Sequence, residues 1–181
     1  SSTSAASDGG ETESENSGEL TVTTGAYTSA PTVAAAVPTW PADQVKSLYS
    51  NTYPFAPASL KSYNEGWWAP PVMAEKAIEG NNYLHYTLAQ AGMIGVQFAE
   101  ISVITMEYIH IDVWASKDGS ITFRPITDGG PEPRKTLELV GGKWNSFDIP
   151  MTDFPGHDWT KLFQYTIENW EAGGLTGEYI A

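Results

Sequence analysis

The chain has 181 residues, nine Lys+Arg against 22 Asp+Glu for a formal net charge of −13, and no cysteine. That length carries one proper hydrophobic core, and the missing thiols exclude disulfides, so packing alone must hold the fold. No Lys/Arg cluster exists to displace phosphate counterions, which argues against nucleic acid and anionic membrane surfaces, and no apolar run reaches the roughly 20 residues of a membrane span.

Taken in chain order, residues 1–20 (SSTSAASDGGETESENSGEL) contain no aromatic and no base. Such a segment cannot bury enough apolar area to offset its ordering entropy, so it reads as a disordered acidic leader. The start, Ser-Ser-Thr-Ser, shows no signal peptide. Residues 21–42 (TVTTGAYTSAPTVAAAVPTWPA) have the Thr/Ala/Pro composition of a semi-extended linker without a binding role. A lipid-anchored surface leader is the alternative, and it requires a Cys that the sequence does not contain.

From Asp43 short apolar-alternating runs are broken at regular intervals by Gly, Pro, Asn and Asp, the all-β pattern. Strands are predicted near Val45–Ser50, Val72–Glu79, Tyr83–Leu88, Ile94–Glu100, Met106–Ala115, Ile121–Ile126, Lys135–Leu139, Trp144–Ile149, Phe163–Trp170 and Glu178–Ala181. Turn signals separate them, among them Gly80-Asn81-Asn82, Asp118-Gly119, Gly129-Gly130-Pro131 and Pro155-Gly156. No helical periodicity exceeds about two turns. Residues 43–181 therefore read as a two-sheet jelly-roll β-sandwich.

Side chains alternate across a strand, so each run divides into two faces. In Tyr108–Trp114 one face is Ile109, Ile111 and Val113, and the other is Tyr108, His110, Asp112 and Trp114. Leu84, Tyr86 and Leu88 oppose Tyr83, His85 and Thr87. Phe163, Tyr165 and Ile167 oppose Gln164, Thr166, Glu168 and Trp170, while Ile121 and Phe123 oppose Thr122 and Arg124. The first sets are core stripes. The second sets mix aromatics with hydrogen-bonding groups, the mixture that sugars require: C–H patches for rings, and Asp, Glu, Gln, Arg and His for hydroxyls. If these strands share a sheet, Tyr108, Trp114 and Trp170 line a polysaccharide groove with His110, Asp112, Arg124, Gln164 and Glu168 as hydroxyl partners. The competing reading makes Tyr108 and Trp114 half-buried sheet aromatics and Asp112–Arg124 a buried ion pair. Trp67 and Trp68, in Gly66-Trp67-Trp68-Ala69-Pro70-Pro71, cannot both face inward if the segment is extended, so one is expected to be exposed, either at a loop tip where a ligand could stack or as a rim aromatic beside a core plug. Trp144 is assigned to packing.

The runs Tyr108-Ile-His-Ile-Asp-Val-Trp114 and Lys143-Trp-Asn-Ser-Phe-Asp-Ile-Pro150, with Asp43-Gln-Val-Lys-Ser-Leu-Tyr-Ser50, resemble β-sandwich modules appended to secreted Bacteroidetes glycosidases. Those modules are similar to galactose-binding-like, jelly-roll carbohydrate-binding domains. The resemblance covers roughly residues 38 to 181 and carries over His110, Asp112, Trp114, Arg124, Trp144 and Asp148 as family-typical positions. It implies a secreted or bacterial cell-surface protein and a catalytic domain in the same native chain. Such modules close on Tyr-Ile-Asp-Asn-Val-Tyr-Phe, whereas this sequence closes on Tyr179-Ile180-Ala181, so the last strand is expected to be cut short or to continue.

No zinc motif links His85, His110 and His157, and neither a nucleophile elbow nor a phosphate-binding Gly loop is present. A structural Ca²⁺ is compatible with the loop acids Asp118, Asp128 and Asp153, though no calcium-loop motif marks a site. Two enzymatic alternatives stand: Asp112 and Glu168 as a glycosidase pair, or Tyr108, His110, Arg124 and Gln164 as the acid–base set of a lyase. A structural or adhesive surface domain is the third reading.

Overall fold

The computed structural model describes residues 28–170 and 173–181; the acidic leader and the first part of the linker lie outside them. Ten strands form: β1 (Leu60–Glu65), β2 (Val72–Ile78), β3 (Asn81–Leu88), β4 (Met93–Ile101), β5 (Tyr108–Trp114), β6 (Gly119–Thr127), β7 (Lys135–Leu139), β8 (Trp144–Pro150), β9 (Leu162–Glu168) and β10 (Glu178–Ile180). One layer is the five-stranded sheet β1-β4-β9-β6-β7. The other joins β10-β3-β2 to β5-β8 through the Ala115↔Ile180 bridge and reciprocal backbone bonds between Trp114 and Ala181. Its order is thus β2-β3-β10-β5-β8. The closing strand, short as it is, stitches the middle of this layer.

The alternation seen in the sequence becomes the inter-sheet core. Leu88, Ile94, Val96, Phe98, Val113, Ile121, Phe123 and Ile167 are buried between the layers, with Leu84, Ile109, Ile111 and Tyr165 against them. Ile109, Ile111 and Tyr165 are partly buried and line a cavity of ≈ 1180 Å³ with Leu48, Tyr49 and Met106.

Two expectations are corrected. Val45–Ser50 is not a strand: Ser47 makes one isolated bridge to Phe55, and Ala56 N–H donates to the Ser47 carbonyl, closing a loop. The first strand is instead β1, an edge strand without alternation in its sequence Leu-Lys-Ser-Tyr-Asn-Glu. Phe163 is not core: the pairing steps from Ile126↔Gln164 to Thr127↔Leu162, so Phe163 is an extra bulge residue and Leu162 takes the inward place.

Part of the Thr/Ala/Pro run is seated on the sandwich. His85 Nε2 donates to the Ser29 carbonyl at 2.7 Å, and Trp144 Nε1 to the Val33 carbonyl at 2.8 Å. Pro31 is buried. The Trp40 ring meets His110 edge-on, 4.7 Å between centroids. Contacts with the sandwich therefore reach back to Ser29 within the run expected to be a linker.

Candidate functional site

The sequence-predicted site residues divide between the two opposite outer faces. Tyr108, His110, Asp112 and Trp114 alternate with core-facing Ile109, Ile111 and Val113, so they lie outside β2-β3-β10-β5-β8. Arg124, Gln164 and Glu168 alternate with core-facing Phe123, Tyr165 and Ile167, so they lie outside β1-β4-β9-β6-β7. The whole core separates the sets, and a single groove holding all of them is ruled out. So are the glycosidase pair Asp112/Glu168, the four-residue lyase set and the Asp112–Arg124 ion pair, whose members sit on different sheets.

The face of β1-β4-β9-β6-β7 is built around two glycines. Registers align Glu65 (β1), Gly95 (β4), Thr166 (β9) and Arg124 (β6) in one row across four strands. At Gly95 a Cβ would lie 2.4 and 2.5 Å from Cε3 and Cζ3 of Trp67, so the missing side chain is what lets that indole rest on the sheet. A Cβ at Gly92 would lie 2.2 Å from the Ala69 carbonyl oxygen, so the loop carrying both Trp residues also packs closely on the residue just before β4. Ala69 adopts φ 39°, an unfavourable region for a side-chain-bearing residue, and such strain persists only where packing fixes it. Met93 N–H donates to the Trp68 carbonyl at 3.1 Å, and Asn64 Nδ2 to that of Pro71 at 2.8 Å. The loop is thereby pinned, with Trp67 41% and Trp68 63% exposed. Trp68 meets Trp170 edge-on at 6.4 Å.

Beside this aromatic end lies a charged array. Arg124 Nη2 is 2.5 Å from Glu168 Oε1 and Nη1 is 3.3 Å from Glu132 Oε2, while Nε donates to Thr166 Oγ1 at 3.4 Å. Thr166 Oγ1 in turn donates to Glu168 Oε1 at 3.3 Å. The Glu168 side chain is 0% exposed, so it is not the hydroxyl partner expected; it anchors the guanidinium from below, and its other oxygen lies 3.9 Å from Arg134 Nε. Arg124, with its side chain 13% exposed, and half-buried Gln164 and Gln97 (which sits opposite Gln164 on β4) border the platform. Gly95, Gln97 and Glu65 were missed from sequence. Glycine inside Met93-Ile-Gly-Val-Gln-Phe98 was the available signal, since a strand-interior Gly marks close approach.

The opposite face is different. Trp114 is 2% exposed and Tyr83, His85 and Pro31 are buried, so Trp114 is no stacking platform. Trp114 pairs directly with Trp144, which the sequence assigned to packing. His110 Nδ1 lies 2.7 Å from Asp148 Oδ1 and Nε2 lies 3.3 Å from Asp112 Oδ2. Carboxylates only accept, so both contacts are hydrogen bonds in the imidazolium form alone. The bond to Asp112 is the main effect raising the His110 pKa; burial opposes it and Asp148 adds to it. Asp112 is pushed up by burial but more strongly down by bonds from His110 and Ser146, and ends below the usual carboxylate range. Tyr108, 58% exposed, stands at the start of β5. Among the described residues no cluster of three or more His, Asp or Glu is placed to hold a metal ion.

No protein-family model matches the sequence, and no curated protein matches it. Two of the solved structures that align with part of the chain are family 11 carbohydrate-binding modules. One is the family 11 carbohydrate-binding module of a cellulosomal cellulase of Clostridium thermocellum, with 12% identity, TM-score 0.42, and coverage of 60% of this chain and 76% of that one. The other is a family 11 module of the same organism in complex with a β-1,3-1,4-mixed-linked tetrasaccharide, with 15% identity, TM-score 0.41, and coverage of 67% and 90%. At such distances the functional reading rests on the site itself.

Proposed function

We propose that this chain is a non-catalytic carbohydrate-binding domain that takes a polysaccharide across the outer face of β1-β4-β9-β6-β7. One observation carries the reading: the pinned, part-exposed indole of Trp67 lies over Gly95 beside the Arg124–Thr166–Glu168 array. An indole fixed in place offers a sugar C–H face a platform at little ordering cost. Arg124 and the two glutamines offer oriented donors and acceptors to hydroxyls. Trp68 and Trp170 extend the aromatic surface at the sheet's end.

A role accessory to a glycoside hydrolase, at a bacterial surface or in secretion, belongs to the same proposal and is motivated by the sequence resemblance. Native affinity electrophoresis through gels cast with soluble plant and algal polysaccharides tests the binding. Retardation of the wild type by at least one glycan, lost in Trp67→Ala, is expected. Turnover of the same polysaccharides by the purified chain would overturn the non-catalytic assignment.

A further inference from the structure

The layer β2-β3-β10-β5-β8 is complete along only part of its length. β10 pairs with β3 at Leu88, Thr87 and Tyr86, and its end is fixed at Ala181, whose N–H and C=O both bond to Trp114 on β5. Beyond that point β3 and β5 run on, over residues 81–85 and 108–113, with no strand between them. Two inter-strand steps are about 9.6 Å, which leaves room for one strand.

The backbone on both sides of this gap is open. In an antiparallel ladder a residue points its N–H and C=O to the same edge, and alternate residues share that edge. Trp114 and Leu88 bond toward β10, so Asp112 and His110 on β5 and Leu84 on β3 point their groups into the gap. Among the described residues no backbone bond reaches these three from that side. Asn82, the next such residue on β3, is held by a side chain instead. Its N–H donates to Asn51 Oδ1 at 3.1 Å, and its carbonyl accepts from Asn51 Nδ2 at 2.9 Å. That amide reproduces the two bonds of a neighbouring strand and closes the far end of the gap.

The packing beneath changes at the same place. Inward side chains beside β10 are buried: Tyr86, Leu88, Val113 and Ala115. Past its end Leu84, Ile111 and Ile109 are only partly buried, and they face the ≈ 1180 Å³ cavity with Tyr165 of the opposite sheet. Interiors are otherwise close-packed, so a hole beneath two open ladder edges is volume for the side chains of a strand. On the outer side the rings of Tyr83 (β3) and Trp144 (β8) meet edge-on over the gap, 6.2 Å between centroids.

We propose that this gap is a seat for a further extended polypeptide segment joined after Ala181, antiparallel to β3 and β5, with apolar side chains at its first and third positions. Ile180 faces the core, so by alternation those two positions face the cavity beside Leu84 and Ile111. The first position bonds to Leu84 and the second to Asp112. Rings above and Asn51 at the far end leave Ala181 as the direct way in, which favours a tethered segment over a free peptide.

The test extends the full chain after Ala181 with Val-Thr-Val-Thr, or with the out-of-phase Thr-Val-Thr-Val. The in-phase chain is expected to melt at least about 5 °C above the unextended one. Hydrogen exchange of the Asp112 amide, followed by NMR, should slow by at least about tenfold. The out-of-phase chain should gain less than half of that rise. No rise in either chain, or an equal rise in both, overturns the proposal. So does equal protection of the Asp112 amide by free Val-Thr-Val-Thr peptide, which makes the occupant a separate chain.

Discussion

Gly95→Ala isolates the role of Trp67. The added Cβ would stand 2.4 Å from Cε3 and 2.5 Å from Cζ3 of the indole, where carbon atoms normally rest about 3.5–4.0 Å apart. The ring must therefore withdraw by about 1 Å or more. It has room to do so, being 41% exposed on a loop, and the Gly95 backbone is not in the left-handed region, so alanine fits the strand. Removing glycine from a strand interior also returns roughly 0.5–1 kcal/mol of chain entropy, which offsets the lost contact. Stability should thus stay within about 0.5 kcal/mol of wild type. Binding should not, because a well-placed aromatic contact is worth about 0.5–1.5 kcal/mol, equivalent to a loss of roughly two- to twelvefold in affinity. Urea unfolding and polysaccharide titration on the same sample measure both quantities. If both substitutions act through the same indole, adding Gly95→Ala to Trp67→Ala should change affinity no further. Wild-type affinity in folded Gly95→Ala, or a stability loss above about 2 kcal/mol, would refute this reasoning.

Other outcomes follow from the same geometry. Trp114→Ala should cost about 3–5 kcal/mol in denaturant unfolding, the range for a fully buried large side chain, and a loss below 1 kcal/mol would show its burial to be loose. Glu168→Ala leaves the Arg124 guanidinium part-buried without its closest partner and should cost about 3 kcal/mol, whereas Glu132→Ala, on an exposed carboxylate, should cost less than 1. His110 has a folded pKa raised above its ordinary value, so its contribution to stability is complete below about pH 6.5. It is lost as pH rises through the folded pKa. The wild type minus His110→Gln stability difference should therefore fall as pH rises from 6 to 9, and a flat difference would contradict the paired-imidazolium assignment.

Much of the sandwich was legible in sequence because period-two alternation is itself the physics of a two-layer core. Ile121/Phe123, Ile109/Ile111/Val113 and Leu84/Tyr86/Leu88 fall on the inward faces that alternation assigned. What alternation cannot show is which strands are neighbours. The mixed faces of β5 and β9 looked like one groove, but β5 pairs with β8 and β9 lies between β4 and β6, on the opposite layer. Nor does it show bulges: one extra residue at Phe163 moves Leu162 inward. The spacer composition of residues 21–42 hid a seated segment, because that seating depends on carbonyls and one proline rather than on apolar periodicity. Trp67 and Trp68 were visible as a pair, but their floor is an absence, the missing side chain of Gly95.

The central claim is that polysaccharide meets the Trp67 face. Seven tryptophans give seven indole N–H resonances that report on both faces at once. Titrating a retained polysaccharide into ¹⁵N-labelled protein should shift those of Trp67, Trp68 and Trp170 and leave Trp40, Trp114 and Trp144 in place. Shifts confined to the latter three, or no shift with any glycan, would contradict it.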